Sequence, residues 1–139
     1  MIERKATVLV CDEVTFSLTG KFNIFGIYTG DISIPHDPTP ITQLAFLFII
    51  ETDMQDIFKS LTCEITVPNL PLVRQDIAIP LNINVQPNRP RLVIRWPIVL
   101  PNLLLSPGAI TSRVIHDKGE INTGGVFISV VSRPLPANL

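Results

Sequence analysis

Apolar and polar residues alternate with a period of two along several stretches of this chain. Ile77, Ile79, Leu81, Ile83 and Val85 fall on one side of a segment, with Asp76, Ala78, Pro80, Asn82 and Asn84 on the other. Successive side chains of a strand point to opposite faces, so this spacing predicts a strand with one buried face. Wound as a helix, the same residues would scatter around the cylinder. Pro80 has no N–H to give a ladder, which implies an edge position or an interruption there. Leu61, Cys63, Ile65 and Val67, set against Thr62, Glu64 and Thr66, form a second alternating set. Leu92, Ile94 and Trp96, opposite Arg91, Val93 and Arg95, form a third. Near the C-terminus, Ile110–His116 and Gly125–Val131 flank Asp117-Lys118-Gly119-Glu120. That arrangement predicts a hairpin, with Gly119 suited to the left-handed position of a bulged loop. Pro, Gly, Asp and Asn separate the strand candidates at intervals of roughly ten residues, the spacing of a sandwich or barrel.

Three stretches do not alternate. Ala6–Cys11, Phe22–Tyr28 and Leu44–Ile50 are apolar on both faces. A strand covered on one side alternates, whereas one covered on both reads as a continuous run. A loop, a short helix or another copy of the chain must therefore supply the second cover. Only Asp53–Ser60 hints at a helix, and its length of about two turns hides little. The preferred expectation is a symmetric dimer, with Phe22, Phe25, Tyr28, Phe46 and Phe48 at the interface. Cover by the chain itself is the alternative. The segment Pro97–Gly108 is too apolar for a wet loop and too proline-broken for a central strand. It is expected to pack across the open end of the sandwich, or to present Leu103, Leu104 and Leu105 to a partner.

Composition fixes the class. The 139 residues amount to one domain, 1–139. Ile, Val, Leu and Phe make up 53 of them, which excludes intrinsic disorder. Ile, Val and Thr total 42, against 5 Ala and 5 Glu, a bias toward residues that pack on pleated surfaces. With 13 prolines cutting the chain into short extended pieces, the expected fold is all-β. Its expected form is a two-layer antiparallel β-sandwich, immunoglobulin-like, of about seven to nine strands and at most one short helix. Charged residues are only 17% of the chain, against about 25% ordinarily. A domain of this size buries about two-thirds of its unfolded surface, so an apolar surplus left outside favours self-association or another protein partner.

The longest apolar run, Leu44–Ile50, has seven residues, far short of the ~20 that span a bilayer. Eleven basic residues nearly cancel twelve acidic ones, so neither nucleic acid nor a membrane is an expected partner. Met1-Ile2-Glu3-Arg4-Lys5 leads into a short apolar stretch broken by Asp12 and Glu13, unlike a secretory signal. Cys11 and Cys63 stand 52 positions apart without a CxxC. A reduced pair in a cytoplasmic protein is expected, since a disulfide needs Cα atoms within about 7 Å.

Few residues suggest chemistry. His36-Asp37 and His116-Asp117 are sequence neighbours, but neighbours on a strand face opposite ways, and no GxSxG elbow supplies a nucleophile. No catalytic residue and no cofactor is expected, and the chain reads as a non-enzyme. Asp31, Asp37, Glu51, Asp53 and Asp56 lie in or beside predicted loops. Calcium takes six to eight oxygens, often from loop carboxylates, which makes Asp31, Asp53 and Asp56 the metal candidates, although no DxDxDG run is present. Two Cys and two His show no zinc-ligand spacing. Arg89, Arg91 and Arg95 form a basic strip, in which Arg91 and Arg95 share a strand face suited to a carboxylate or phosphate. Trp96 sits on the apolar face of its strand, away from any stacking role on single-stranded nucleic acid. Gly124-Gly125 and Thr19-Gly20-Lys21 lack the spacing of a phosphate loop. The leading expectation is a non-enzymatic, self-associating interaction or structural module. The alternative is a sandwich that binds calcium or a small anion through loop carboxylates or the Arg91/Arg95 strip.

Cys11-Asp12, Thr19-Gly20-Lys21, Gly26-Ile27-Tyr28, Asp31-Ile32, Leu44-Ala45-Phe46 and Glu51-Thr52 follow one another along the chain. With Ser106-Pro107-Gly108 and the closing hairpin, they resemble a family of short, uncharacterised bacterial β-rich proteins. The resemblance implies a single β-rich cytoplasmic domain, with no assigned activity and no catalytic residues to carry over. The Pro-Gly turn feeding two hairpin strands is also similar to the end of immunoglobulin-like modules, a likeness of fold that does not fix function.

Overall fold

Branched and aromatic side chains pack well on a pleated surface, and the chain uses them in nearly every extended segment. The computed structural model describes residues 3–79 and 89–131, which form nine strands and no helix. In chain order these are β1 (Lys5–Phe16), β2 (Phe22–Ile27), β3 (Ile32–Ile34), β4 (Thr39–Asp53), β5 (Leu61–Thr66), β6 (Val73–Asp76), β7 (Arg91–Leu105), β8 (Gly108–His116) and β9 (Gly119–Val130). The stretch with helical character, Asp53–Ser60, is a turn instead. Its backbone is captured locally: the Asp53 carboxylate accepts the Gln55 N–H and the Asp53 carbonyl accepts the Asp56 N–H. Such local bonds compete with a helix at its first turn.

Two sheets result, a four-stranded one ordered β2-β1-β4-β7 and a five-stranded one ordered β3-β9-β8-β5-β6. All pairings are antiparallel except that of β3, which runs parallel to β9. Val10, Leu44, Phe46, Phe48, Ile50 and Ile98 of the first sheet meet Leu61, Cys63, Ile65, Ile110, Val114 and Ile128 of the second in one buried cluster. This arrangement is consistent with a β-sandwich.

The expected alternations largely hold. Leu61, Cys63, Ile65 and Val67 all enter the core, and Ile94 and Trp96 pack against it from β7. The strand expected over Ile77–Val85 is not formed in its described part. β6 ends at Asp76 and 77–79 are irregular, although Ile77 is buried and Ile79 half-buried, while Leu81, Ile83 and Val85 lie outside the described residues. The closing hairpin is present, with two turn residues, Asp117 and Lys118. Its bulge is not at Gly119, whose φ is +147°. Ser112 pairs with Gly124 and Arg113 with Asn122, so Thr123 is the extra residue, beside Gly124 at φ +91°.

Two expectations are corrected. First, the proline-broken stretch after Trp96 is a strand, the second half of β7, rather than a plug across an open end. β7 is an edge strand, and every second amide of an edge strand points away from its one neighbour. Pro97 and Pro101 share that parity, so their missing N–H groups cost no ladder bond. The inward set changes from Ile98 and Leu100 to Leu103 and Leu105 across Asn102, whose φ is +53°. Leu103 and Leu105 are consequently buried, and Leu104 alone of the three is exposed.

Second, a second copy is not what covers Leu44–Ile50. Phe46 and Phe48 point into the core and are fully buried, which removes them as interface residues. Ala45 and Leu47, on the opposite face of β4, are also buried, as is Cys11 beside them on β1. The cover comes from the chain itself. Gly26 has a φ of +65°, and a Cβ there would run into the Asp12 carboxylate, so the β1–β2 pair kinks at this point. Beyond the kink, Phe16, Phe22 and Ile24 share one groove with Leu47 and Ile49 of β4. The hairpin arm thus lies over the outer face of its own sheet. Phe22 and Tyr28 are half-buried in this arrangement, and Phe25 is exposed.

Candidate functional site

A guanidinium offers five N–H donors in a rigid fork, and Arg4 uses all five. Its Nε and Nη2 donate to the two Asp56 carboxylate oxygens, each at 3.1 Å. Nη2 also reaches the Asp56 carbonyl at 3.2 Å. Nη1 donates to Asp117 Oδ1 at 3.1 Å and to His116 Nδ1 at 2.9 Å. The guanidinium carbon stands 4.6 Å from the Phe58 ring centroid, within cation–π range. Only 8% of the Arg4 side chain is exposed. Lys118 Nζ adds a bond of 2.6 Å to Asp56, and the Lys59 N–H one of 2.9 Å to Asp117. One arginine therefore ties the approach to β1, the β4–β5 loop and the β8–β9 turn together.

Both nitrogens of a neutral imidazole are defined by their partners. His116 Nδ1 accepts from Arg4 and from the Lys118 N–H, which places the proton on Nε2. Burial and the Arg4 charge lower the His116 pKa. The Lys118 hydrogen bond, against burial and together with Arg4, lowers that of Asp56. For Asp117 burial pulls upward, but the Lys59 N–H and Arg4 outweigh it and hold the carboxyl at about 2. His116 and Asp117 are thus brought into one cluster by Arg4, with their acceptors committed to holding loops. His36 takes no part, its Nδ1 donating to the Pro38 carbonyl in an exposed turn.

These shifts share one sign. Each group binds its proton more weakly folded than unfolded, so the unfolded state takes up more protons as the pH falls. Stability is full above the ordinary histidine value. It is expected to decline first below about pH 6.5, as unfolded His116 protonates, and again below about pH 4, as Asp56 and Asp117 follow. Urea midpoints measured from pH 8 to pH 3 check this, and His116→Gln should remove the first decline while leaving the second.

The acidic candidates are not gathered into a metal site. Asp56 is engaged by Arg4 and Lys118, Asp53 by its own turn, and Asp31 lies on the β2–β3 connection. Among the described residues no group of three or more His, Cys, Asp or Glu side chains is placed to hold a metal ion.

A second network, invisible in the sequence, crosses the outer face of the five-stranded sheet. Glu64 stands directly opposite Arg74 on β6 and Arg113 on β8. Its two oxygens meet them at 3.0 and 2.7 Å, and Arg113 reaches on to Glu120 at 2.9 Å. Glu64 is 4% exposed although it faces outward, because the two arginine side chains lie over it. Opposite charges facing each other across a ladder stabilise the pairing. These charges satisfy one another, so the shallow concavity of about 440 Å³ that they border has no unmatched cation or anion of this set.

The groove under the hairpin arm differs in this respect. It measures about 670 Å³ and is lined by Phe16, Phe22, Ile24, Leu47 and Ile49, with Gly20, Lys21 and Arg95 completing it. The turn that presents Lys21 is closed by bonds from the Gly20 N–H to the Ser17 carbonyl and from the Lys21 N–H to Ser17 Oγ. Arg91 faces Glu51 at 3.4 Å instead. The expected Arg91/Arg95 strip is thereby divided, Arg91 to an ion pair and Arg95 to the groove. Both cysteines are free and buried. Burial pushes the Cys63 thiol up to about 12 and raises that of Cys11, which keeps them protonated and unreactive.

No helix among the described residues is long and apolar enough to cross a membrane. Comparison with protein-family models, with curated proteins and with solved structures gives no match.

Proposed function

We propose that this chain is a non-enzymatic interaction module of the cytoplasm that self-associates through the β2 edge of its four-stranded sheet. One observation carries the reading. A sheet edge presents unpaired backbone groups, and proteins blunt it with proline, charge or very short strands. Of the four edge strands among the described residues, β7 carries Pro97 and Pro101, β3 has three residues, and β6 has four with Arg74 and Asp76 among them. β2, with the sequence Phe-Asn-Ile-Phe-Gly-Ile, has neither proline nor charge, and only the kink at Gly26 interrupts it. Phe25 and Ile27 are exposed on it, and Leu18 is wholly exposed in the turn before it. Two copies pairing β2 against β2 about a twofold axis would extend the sheet and hide these residues.

The strand order supports an immunoglobulin-like layout. Without β2, the runs β1-β4-β7 and β9-β8-β5-β6 follow the A-B-E and G-F-C-C′ orders of a variable-type domain. The family resemblance belongs to the same reading. The five bonds of Arg4 and the two that His116 Nδ1 accepts speak for structural duties.

Gel filtration with light scattering at high micromolar concentration is the test. A dimer is expected, converted to monomer by Phe25→Lys, with a melting temperature lowered by no more than the stabilisation that dimerisation itself supplies. A wild-type monomer under those conditions overturns the proposal.

A further inference from the structure

The groove between the hairpin arm and the outer face of β4 and β7 combines apolar side chains with two cations that have no carboxylate partner among the described residues. We propose that it binds a single-chain fatty carboxylate, the hydrocarbon lying along Phe16, Phe22, Ile24 and Ile49 and the carboxylate meeting Arg95 and Lys21.

Three observations select this chemistry. Charge comes first. No acidic residue lines the groove. Among the described residues Arg4, Arg74, Arg91, Arg113 and Lys118 each have a carboxylate partner, while Lys5, Lys21, Lys59, Arg89 and Arg95 have none, and of these five Lys21 and Arg95 line the groove. An anionic head is what these two side chains lack. Size comes second, since about 670 Å³ falls within the range of small-molecule sites, about 300–1,000 Å³. The third observation concerns the floor. It is the face of a sheet, where β4 is paired on both sides, by β1 and by β7. Its backbone groups are spent on those ladders, so an extended peptide laid there would find no partners for its own amides. A hydrocarbon chain has no amides to satisfy. An inorganic anion, conversely, would leave the apolar walls wet.

This site shares β2 with the proposed dimer contact but not its exposed side chains, because Phe25, Ile27 and Leu18 do not line it. Calorimetric titration of the full chain with dodecanoate, kept below its micellar concentration, tests it. Saturable one-to-one binding is expected, weakening with added salt. Arg95→Gln and Lys21→Gln should each reduce affinity roughly tenfold, as loss of a charge-assisted hydrogen bond does. Dodecanol should bind more weakly than dodecanoate, and Ile49→Glu should abolish binding by placing a carboxylate on the floor. Melting curves confirm that each variant folds. Absence of saturable binding by folded wild-type protein overturns the proposal. So does equal binding of dodecanol, or unchanged affinity in both charge variants. Binding to phosphatidylglycerol vesicles without binding to monomeric dodecanoate overturns it as well, in favour of a membrane surface. Dimerisation can fail its own test without touching any of these outcomes.

Discussion

Replacing Arg4 with alanine is expected to lower the unfolding free energy by about 1–3 kcal/mol, the cost of leaving part-buried polar and charged groups without their hydrogen-bond donor. The size follows from what the change leaves behind. Asp56 and Asp117, with side chains only 19% and 16% exposed, lose their main cation, and His116 Nδ1 loses a donor. The Phe58 ring loses the charge above it. Lys118 still reaches Asp56, which favours the lower end of the range. Arg4→Lys should recover less than half of the loss. An ammonium has three donors and no planar fork, and cannot reproduce a bidentate grip on Asp56 together with bonds to Asp117 and His116. Urea denaturation at pH 7 measures both variants. A loss under about 1 kcal/mol for Arg4→Ala would show that the cluster is solvated and contributes as surface ion pairs do.

Arg4 also marks the limit of what the sequence reveals. Strands were legible where an alternating set enters the core in register, as Leu61, Cys63 and Ile65 do, whereas the equally regular Ile77 and Ile79 lie beyond the end of β6. The hairpin at Asp117-Lys118 was legible from its flanking runs. Contacts of long range were not. Arg4 lies 52 positions from Asp56 and 113 from Asp117, and nothing in their local spacing announces that they meet. Glu64 pairs with Arg113 at a separation of 49, which only the β5–β8 register brings about. Pro97 and Pro101 misled for a different reason. Proline argues against a central strand but is harmless at an edge, and edge status belongs to strand order, which no local pattern encodes. The groove combines both difficulties. Its lining comes from β1, β2, β4 and β7, and the kink that folds the arm depends on a single glycine. Lys21 and Arg95 carried no sequence signal as a pair. Leu44–Ile50 gave the most instructive reading, because its double-sided burial was legible while the identity of its cover was not.

That double cover yields the other large expected effect. Phe48→Ala should cost about 3–5 kcal/mol, the usual loss for a fully buried phenylalanine with its residual cavity. Leu47→Ala should cost about 2–5 kcal/mol although its side chain points the opposite way. In a sheet with one wet face the two neighbours would behave differently. The outward residue would change stability by no more than about 0.5 kcal/mol, as surface substitutions do. Here Leu47 is as hidden as Phe48, with 2% and 0% exposure, one beneath the hairpin arm and the other beneath the second sheet. Leu47 and Phe22 line the same groove. The combination of Leu47→Ala with Phe22→Ala should therefore cost less than the sum of the single changes, because loosening the arm removes part of what Leu47 had to lose. Phe48→Ala and Phe22→Ala, which act on opposite faces of the sheet, should be nearly additive. Urea midpoints of the three single and two double variants decide the matter. A Leu47→Ala protein as stable as wild type would mean that the arm stands away from the sheet in solution, leaving that face for a second molecule to cover.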